Sequence, residues 1–211
     1  MDDPRTAISR RVLLRIGSAA LASNVLVSPA KAAPLAPEFV GIDGWLNSGA
    51  LTMRGLRGQV VLINFFARAC SNCIAAMPYI RGWQSRYRGR GFTVVGVHTP
   101  ELAAEKSRPA LEAAVQRFGL TYPIAIDNAS ATWNAWGNQY WPAEYIVDQQ
   151  GRIVYSHFGE GAYSQTEALI QRLTAACLGL ASQVARCVGR LARRDVLALS
   201  LRDQCPLFSF T

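Results

Sequence analysis

The sequence predicts an α/β domain built on a central mixed β-sheet that is flanked by helices on both faces. Short, nearly continuous apolar runs alternate with helix-like stretches along the middle of the chain, a pattern typical of parallel strands joined by crossovers. Two further apolar runs, separated by a polar turn sequence, close the domain and indicate an antiparallel edge.

The elements follow in chain order. The run Val60–Phe66 is β-branched and preceded by a glycine, which predicts a strand buried on both faces. Apolar residues at three-residue steps then predict a helix from Ser71 to about Tyr87. The other predictions are an irregular lead-in at 34–51, a strand at 92–97, a helix at about 108–118, a strand at 122–126, one or two helical turns within 131–140, strands at 144–147 and 153–156, and a helix from about 164 to at least 175.

The net charge of +8 is concentrated at the two ends of the chain. Residues 1–33 hold five basic and two acidic side chains, and residues 176–211 hold the same numbers. The middle, 34–175, holds twelve basic and ten acidic side chains, a net charge of +2. A nucleic-acid-binding protein concentrates basic charge on its folded domain, so this distribution argues against nucleic acid as a partner.

Residues 1–33 have the layout of a twin-arginine-type signal peptide. Arg10 and Arg11 precede a moderately apolar stretch at 16–27, and Ala30 and Ala32 offer small residues to a signal peptidase. The apolar stretch is too short to span a bilayer. The prediction is an exported, periplasmic protein; the alternative is a short amphipathic first helix of the mature domain.

The tail at 176–211 continues the helical spacing of apolar residues with arginines interleaved, and then loses it. One interpretation is an extended last helix with a frayed end. The other is a basic amphipathic helix at an anionic membrane surface or on a partner. Cys177, Cys187 and Cys205 lie here, and their role stays open. With Cys70 and Cys73 they make an odd number, so at least one thiol is unpaired or bonded to another chain.

The candidate active site is Cys70-Ser71-Asn72-Cys73, directly after the first buried strand and at the start of the first long helix. Two cysteines three positions apart can close a small disulfide ring. Unpaired N–H groups at a helix N-terminus stabilise a thiolate at Cys70, and thiolate is the attacking species. Cys73 lies one turn further in and is predicted to be more buried and to act second.

Two other roles for this pair are less consistent with the sequence. A zinc site needs a second pair of ligands, but the chain has no other CxxC and only two histidines, His98 and His157. A purely structural disulfide would close so small a loop that it constrains the unfolded chain little. The sequence therefore favours redox use of the pair.

These residues resemble the thioredoxin family. The pattern comprises Phe65-Phe66-Ala67, the CxxC, Pro78 five residues past the second cysteine, and Trp141-Pro142, which resembles the family's cis-proline. Over roughly 39–175 the chain is more narrowly similar to the periplasmic thioredoxin domain of DipZ-type proteins, relatives of the TlpA-like redoxins. That similarity lies in the stretches 41–51, 96–101, 122–128, 133–135, 140–143 and 157–161.

The resemblance implies a thioredoxin fold and a thiol-disulfide oxidoreductase that needs no cofactor beyond its redox-active disulfide. Cys70 would attack a substrate disulfide, and Cys73 would resolve the mixed disulfide. Pro142 would be cis and present neighbouring backbone to protein substrates, with Trp141 beside it, while Ser71 and Asn72 would tune the potential. The membrane electron-conducting domain of DipZ-type proteins has no counterpart here, so a separate reductant is expected.

The sequence departs from the family pattern at two positions. Ala69 stands where tryptophan often precedes the first cysteine, and Asn64 stands where the strand often carries a buried aspartate. Because asparagine cannot accept a proton, water or another group must assist Cys73. Glu144, two residues past Pro142, is a candidate, with an ordinary exposed strand residue as the alternative.

Further candidates have alternative roles as well. His98 ends the second buried strand and is either a proton-transfer group or a hydrogen-bonded structural histidine. A set of aromatic residues either lines a substrate groove or belongs to the core: Trp133, Trp136, Tyr140 and Trp141. Reductase is the expected direction; the alternative functions are a copper or other soft-metal chaperone using the same cysteines, and a thiol peroxidase.

Overall fold

The computed structural model describes residues 33–175. The signal-peptide prediction, apart from residue 33, and the predictions for the tail and its three cysteines lie outside the described residues. Within residues 33–175, no helix is long and apolar enough to cross a membrane.

A six-stranded mixed sheet forms the centre of the described part, as predicted. Its strands lie in the order β1-β4-β3-β2-β5-β6. β2, β3 and β4 are parallel to one another, whereas β1 at one edge and β5 and β6 at the other run antiparallel to their neighbours. The strands are β1 (Gly44–Leu46), β2 (Val60–Phe66), β3 (Phe92–His98), β4 (Ile124–Ile126), β5 (Ala143–Val147) and β6 (Ile153–Phe158).

Four α-helices accompany the sheet in the described range: α1 (Ser71–Tyr87), α2 (Arg108–Phe118), α3 (Ala131–Ala135) and α4 at 163–175. A single 3-10 turn, Ala103–Lys106, precedes α2. The bounds of α2 follow from local chemistry. The Ser107 hydroxyl caps its first turn by accepting from the Ala110 N–H, and Gly119 ends it in the left-handed conformation that glycine adopts without strain.

Most predicted elements are found within one or two residues of their expected bounds, and the lead-in is the main difference. It was expected to be irregular, yet it contains β1, whose register pairs Gly44 with Ile126. Three residues are too few to show a strand period in the sequence, and pairing with β4 makes this segment a strand. Conversely, the predicted strand at 122–126 begins only at Ile124, after Pro123, which has no N–H to donate.

The two faces of the sheet bury different residues because side chains alternate along each strand. The dithiol face carries α1, α2 and α4, and its core includes Leu62, Phe66, Cys73, Ile80, Trp83, Tyr122, Ile146 and Ile170. The aromatic face carries α3 and the lead-in, and its core includes Ile63, Phe65, Val97, Trp133, Trp136 and Tyr145. Helices therefore cover both faces, as the sequence predicts.

Gly96 on β3 makes room for a ring on the dithiol face. A Cβ atom there would lie 3.1 Å from atoms of both the Phe66 and the Tyr122 rings. Both neighbours are buried and closely packed, so neither can move away easily. The glycine thus lets the Tyr122 ring approach the sheet beside Asn64, which pairs with Gly96.

Candidate active site

Cys70 lies at the carboxyl end of β2 and is the N-cap of α1. Its side chain is partly exposed, and its Sγ accepts a hydrogen bond from the Cys73 N–H at 3.3 Å. A backbone N–H aimed at sulfur from the positive end of a helix stabilises the thiolate relative to the thiol. Ser71 and Asn72, the two residues between the cysteines, are exposed on the first turn of α1.

Cys73 has the opposite environment. It is buried in the core of the dithiol face. Burial raises the pKa of its thiol far above the usual range, and the hydrogen bond and charge of Cys70 raise this pKa further. The two thiols are not bonded to each other in this structure. The pair therefore consists of an accessible sulfur that can attack first and a buried sulfur that must lose a proton before it attacks.

Pro142 directly precedes β5. The Trp141–Pro142 peptide bond is cis, as the resemblance implies. Pro142 itself is buried, and its carbonyl accepts a hydrogen bond from the Gly159 N–H at 2.8 Å. The Trp141 Nε1 donates to the Thr99 carbonyl at 2.9 Å, which fixes the indole across the end of β3. Both predicted residues therefore lie in a segment held by hydrogen bonds.

The four aromatic candidates divide between the two predicted roles. Trp133 and Trp136 are buried in the core of the aromatic face. Tyr140 is half exposed, and its ring lies 5.2 Å from the exposed ring of Phe158. Trp141 is partly buried, with its ring 4.1 Å from that of Trp133. Only Tyr140 and Trp141 remain able to meet a substrate.

Glu144 is buried, so the interpretation as an exposed strand residue is wrong. Its side chain is only 1% exposed, and the β-sheet register pairs it directly with Asn64. Burial raises the pKa of the Glu144 carboxyl to about 7, although a hydrogen bond from Thr166 lowers it. A buried carboxyl therefore stands one strand away from the position where the family often has its aspartate.

His98 is fully buried at the end of β3, with its ring 5.4 Å from that of Phe66. Neither ring nitrogen has a hydrogen-bond partner among the described residues, contrary to the expectation for a hydrogen-bonded structural histidine. Burial lowers the pKa of His98 to about 4, while the charge of Glu105 raises it and that of Arg68 lowers it. The imidazole is therefore neutral at neutral pH.

Glu105 is a site residue that the sequence analysis missed. Its carboxylate, 3% exposed, accepts hydrogen bonds from three backbone N–H groups: Ala69 at 2.9 Å, Glu101 at 2.9 Å and Leu102 at 3.0 Å. Burial alone would raise its pKa, but these backbone hydrogen bonds hold the pKa below the usual value. The carboxylate thereby ties the residue before Cys70 to the loop after β3.

Only one signal in the sequence points to Glu105. A glutamate three residues after a helical N-cap can reach back to the N-cap N–H, and Leu102 and Glu105 have this spacing. The contact with Ala69 crosses 36 positions and is set by the packing of the loop against the end of β2. Nothing local in the sequence reveals it.

A cleft of about 370 Å³ opens beside the dithiol, between the start of α1 and the exposed face of α2. Ala69 and Ile74 border it on the dithiol side, and Arg68 and Arg117 are its charged residues. The remaining lining is small or apolar: Ala110, Ala113, Ala114 and Phe118. Residues that flank the dithiol in sequence thus border an open cleft whose two charged residues are both basic.

In the part of the chain that the structure describes, no group of three histidine, cysteine or acidic side chains could hold a metal ion. The free cysteines there are Cys70 and Cys73. No observation at this site favours the metal-chaperone alternative over thiol chemistry.

Comparison with known proteins agrees with the fold. A family model described as Redoxin matches residues 31–170. Protein DipZ of Mycobacterium tuberculosis is 45% identical over 141 residues, which cover 65% of this chain and 20% of that protein. The thiol-disulfide oxidoreductase ResA of Bacillus anthracis is 27% identical over 139 residues, 66% of this chain and 76% of that protein. This chain therefore spans about a fifth of the length of the DipZ relatives it matches.

Solved structures show the same fold. A thioredoxin-like protein whose solution structure was determined in the oxidised form superimposes with a TM-score of 0.63 and 28% identity. The match covers 68% of this chain and 97% of that one. The fold thus agrees with the family model.

Proposed function

This chain belongs to the Redoxin family of thioredoxin-fold thiol-disulfide oxidoreductases, and we propose that it reduces disulfide bonds of exported proteins with the thiols of Cys70 and Cys73. The observation that carries the proposal is the unequal placement of the two sulfurs: Cys70 is partly exposed at the N-terminus of α1, and Cys73 is buried behind it. This arrangement suits one sulfur for attack on a bulky protein and the other for a step inside the protein.

The reaction proceeds in two exchanges. The Cys70 thiolate attacks one sulfur of the substrate disulfide, forming a mixed disulfide and releasing the other substrate sulfur as a thiolate. Cys73 then loses its proton and attacks the Cys70 Sγ, which forms the Cys70–Cys73 disulfide and releases the second substrate thiolate. Two electrons pass from the protein dithiol to the substrate. A separate dithiol donor, in solution or in the membrane, returns the oxidised pair to its starting state.

We assign Glu144 as the group that accepts the proton of the Cys73 thiol. It is a carboxyl buried on the same face of the sheet, and its pKa of about 7 lets it change protonation near neutral pH. His98 is the second candidate, but its charged neighbours are Glu105 and Arg68 rather than groups around Cys73. Glu144 therefore serves as the proton acceptor, a role that the Asn64 amide cannot perform.

The substrate segment would lie against the Trp141–Pro142 backbone. Pro142 has no N–H, and its carbonyl is already paired with Gly159, so a substrate strand must pair with neighbouring residues. Ser71 and Asn72 are exposed beside Cys70 and would contact the substrate while tuning the reduction potential. Tyr140 and Trp141 would add apolar contact.

The reduction potential of the pair tests the proposal and its direction. The protein to use has Cys177, Cys187 and Cys205 changed to serine, so that only Cys70 and Cys73 respond to a glutathione redox buffer. A reductase is expected near about −270 mV, whereas a disulfide donor would lie near about −120 mV. A pair that does not cycle between dithiol and disulfide would overturn the oxidoreductase role.

Trapping with a disulfide-containing protein tests the order of attack. Cys73→Ser should accumulate a mixed disulfide through Cys70, because the resolving sulfur is missing. Cys70→Ser should accumulate none, since Cys73 is buried. Equal trapping by both variants would contradict the assigned roles.

Export to the periplasm is supported by the arginine pair and apolar stretch of residues 1–33. Fractionation of cells expressing the full chain and an Arg10→Lys/Arg11→Lys variant tests it. The full chain should reach the periplasm and the variant should stay in the cytoplasm; equal distribution of both would contradict twin-arginine export.

A further inference from the structure

A row of polar side chains crosses the dithiol face of the sheet in one register. Asn64 on β2 pairs with Glu144 on β5, and Glu144 pairs with His157 on β6. Directly opposed residues on adjacent strands project from the same face of a sheet. Asn64, Glu144 and His157 therefore stand side by side on a surface whose other core positions are mainly apolar.

Each member of the row has a polar atom that is buried and has no partner in the described part of the protein. These atoms are Asn64 Nδ2, Glu144 Oε2 and His157 Nε2. The Tyr122 hydroxyl, whose ring packs over Gly96 beside Asn64, is in the same condition. Buried polar atoms nearly always have a partner, so three such atoms along one row and a fourth beside it call for a physical reason.

The chemistry of these atoms is complementary. The Asn64 amide donates, the Glu144 carboxylate accepts, and an imidazole nitrogen does either. Small movements, or an ordered water between neighbours, would join them into a continuous chain of hydrogen bonds.

One end of the row lies near the buried thiol. Asn64 lies between Leu62 and Phe66, both in the cluster that contains Cys73. The Tyr122 hydroxyl lies close to both groups: burial raises its pKa, the charge of Arg81 lowers it, and the charges of Glu144 and Cys73 raise it further. Glu144 and Cys73 therefore share one buried neighbourhood.

The other end reaches solvent. Asn64 and Glu144 are 2% and 1% exposed, whereas His157 is partly exposed on the edge strand β6. His98, the other histidine, is fully buried and has no comparable route outward. Of the two, only His157 can exchange a proton with both the interior and water.

We propose that Glu144 and His157 form the route by which the proton of Cys73 leaves the protein during resolution of the mixed disulfide, with Asn64 lying beside Glu144 at the inner end of this route. This inference deepens the proposed function and rests on it. The Cys73 thiol gives its proton to the Glu144 carboxylate, which passes it to Nε2 of His157, and Nδ1 of His157 releases a proton to water. The Cys73 thiolate then attacks the Cys70 Sγ as described above. His157 acts through Glu144 and is a positioning residue rather than a catalytic one.

Four titratable groups from different elements face Glu144 or its immediate surroundings. They are Cys73 from α1, Tyr122 before β4, His157 from β6 and Tyr163 from α4. The pKa of Tyr163 is raised to about 12, by burial first and by Glu160 next, so neither tyrosine ionises near neutral pH. His157 is thus the member of this set that is left to take the proton from Glu144.

The resolving step can be measured alone. Protein with the three tail cysteines changed to serine is loaded at Cys70 with thionitrobenzoate, and release of the coloured thiol by Cys73 is followed from pH 5 to 9. His157→Gln is expected to slow release about tenfold near pH 6–7, because proton transfer by a positioned group contributes at least this much. Added imidazole should restore the rate, which a loss of structure would not allow.

Ser156→Ala is the matched control, since Ser156 is the exposed neighbour of His157 on the same strand. It should leave the pH profile unchanged. An unchanged rate and pH profile in His157→Gln would overturn the route. If His157→Gln does not fold, Glu144→Gln interrupts the same route from inside and should also slow release; an unchanged profile there would overturn the route equally. Absence of release in the parent protein would instead overturn the proposed function.

Discussion

The aromatic face and the dithiol face of the sheet bury polar groups in different ways. On the aromatic face, Phe65 contacts the rings of Trp133, Trp136 and Tyr145, each at 5.8 Å between centroids. The Tyr145 hydroxyl there donates to Asn138 at 3.0 Å, and among that face's described core residues only Trp136 has a buried side-chain nitrogen or oxygen without a partner. On the dithiol face, Asn64, Glu144 and Tyr122 all bury unpartnered polar atoms.

This difference indicates a division of labour. Unpartnered buried polar atoms reduce stability, and a buried carboxyl reduces it further when it ionises. The dithiol face is therefore less stabilising, and its unpartnered polar atoms lie where the proton of Cys73 must move. The aromatic face, close-packed and mostly satisfied, supplies stability without taking part in the chemistry.

The strongest test of this division compares two neighbouring phenylalanines that point to opposite faces. Phe65→Ala and Phe66→Ala should each lower the free energy of unfolding by about 3–5 kcal/mol, because both remove a buried ring. Only Phe66→Ala should also change the pH profile of the thiols, since Phe66 packs in the cluster with Cys73. Urea denaturation and thiol titration measure the two effects. A changed thiol profile in Phe65→Ala would contradict the division.

Glu144→Gln should remove a pH dependence of stability. The carboxyl ionises near 4.5 in the unfolded chain and near 7 in the fold, so at intermediate pH the folded state keeps a proton that the unfolded state has lost. Stability therefore falls as pH rises from about 4.5 to 7, by about 3 kcal/mol in total. The glutamine variant should lose less stability than the parent between pH 5 and pH 8.

Urea denaturation of both proteins at pH 5 and pH 8 measures this difference. Equal pH dependence in parent and variant would mean that Glu144 is ionised in the fold at both pH values. In that case it could not accept the proton of Cys73 near neutral pH.

Glu105→Gln should cost about 1.5–3 kcal/mol, the contribution of hydrogen bonds to a charged group. A glutamine offers one acceptor oxygen where the carboxylate uses two, so it cannot serve Ala69, Glu101 and Leu102 together. Since the folded-state pKa lies below the unfolded one, the stability that Glu105 contributes is lost as pH falls through the folded-state value. Thermal denaturation at pH 7 and at successively lower pH should show the difference from the parent shrinking as the folded-state carboxyl takes up its proton.

The sequence predicts the framework of the site better than its polar surroundings. Val60–Phe66 and Ser71–Tyr87 have the bounds expected from their patterns, because apolar period and a cysteine N-cap are local signals. β1 is missed because a three-residue strand depends on its partner. The motif resemblance predicts Pro142 as the cis-proline. Asparagine at position 64 cannot accept a proton, and this departure from the family pattern makes Glu144 a candidate acceptor.

Burial and long-range contacts account for what the sequence could not predict. Whether Glu144 is exposed depends on α4 covering β5, and the contact of Glu105 with Ala69 depends on loop packing. The row that includes His157 becomes visible only from the register of β5 and β6. These features join residues between 13 and 93 positions apart in the chain, beyond the reach of any local pattern.

The smallest expected effect comes from comparing two tryptophans that pack on the aromatic face, Trp141 and Trp136. Trp141→Phe keeps an aromatic ring but removes the hydrogen bond from Nε1 to the Thr99 carbonyl, which should cost about 0.5–1.5 kcal/mol. Trp136→Phe is the matched control, because its Nε1 is buried with no partner among the described residues. Both variants lose similar ring area, so the difference between their free energies of unfolding isolates the hydrogen bond. If Trp136→Phe proves as costly as Trp141→Phe, the contact with Thr99 contributes nothing, and the indole of Trp141 is held by ring packing against Trp133 alone.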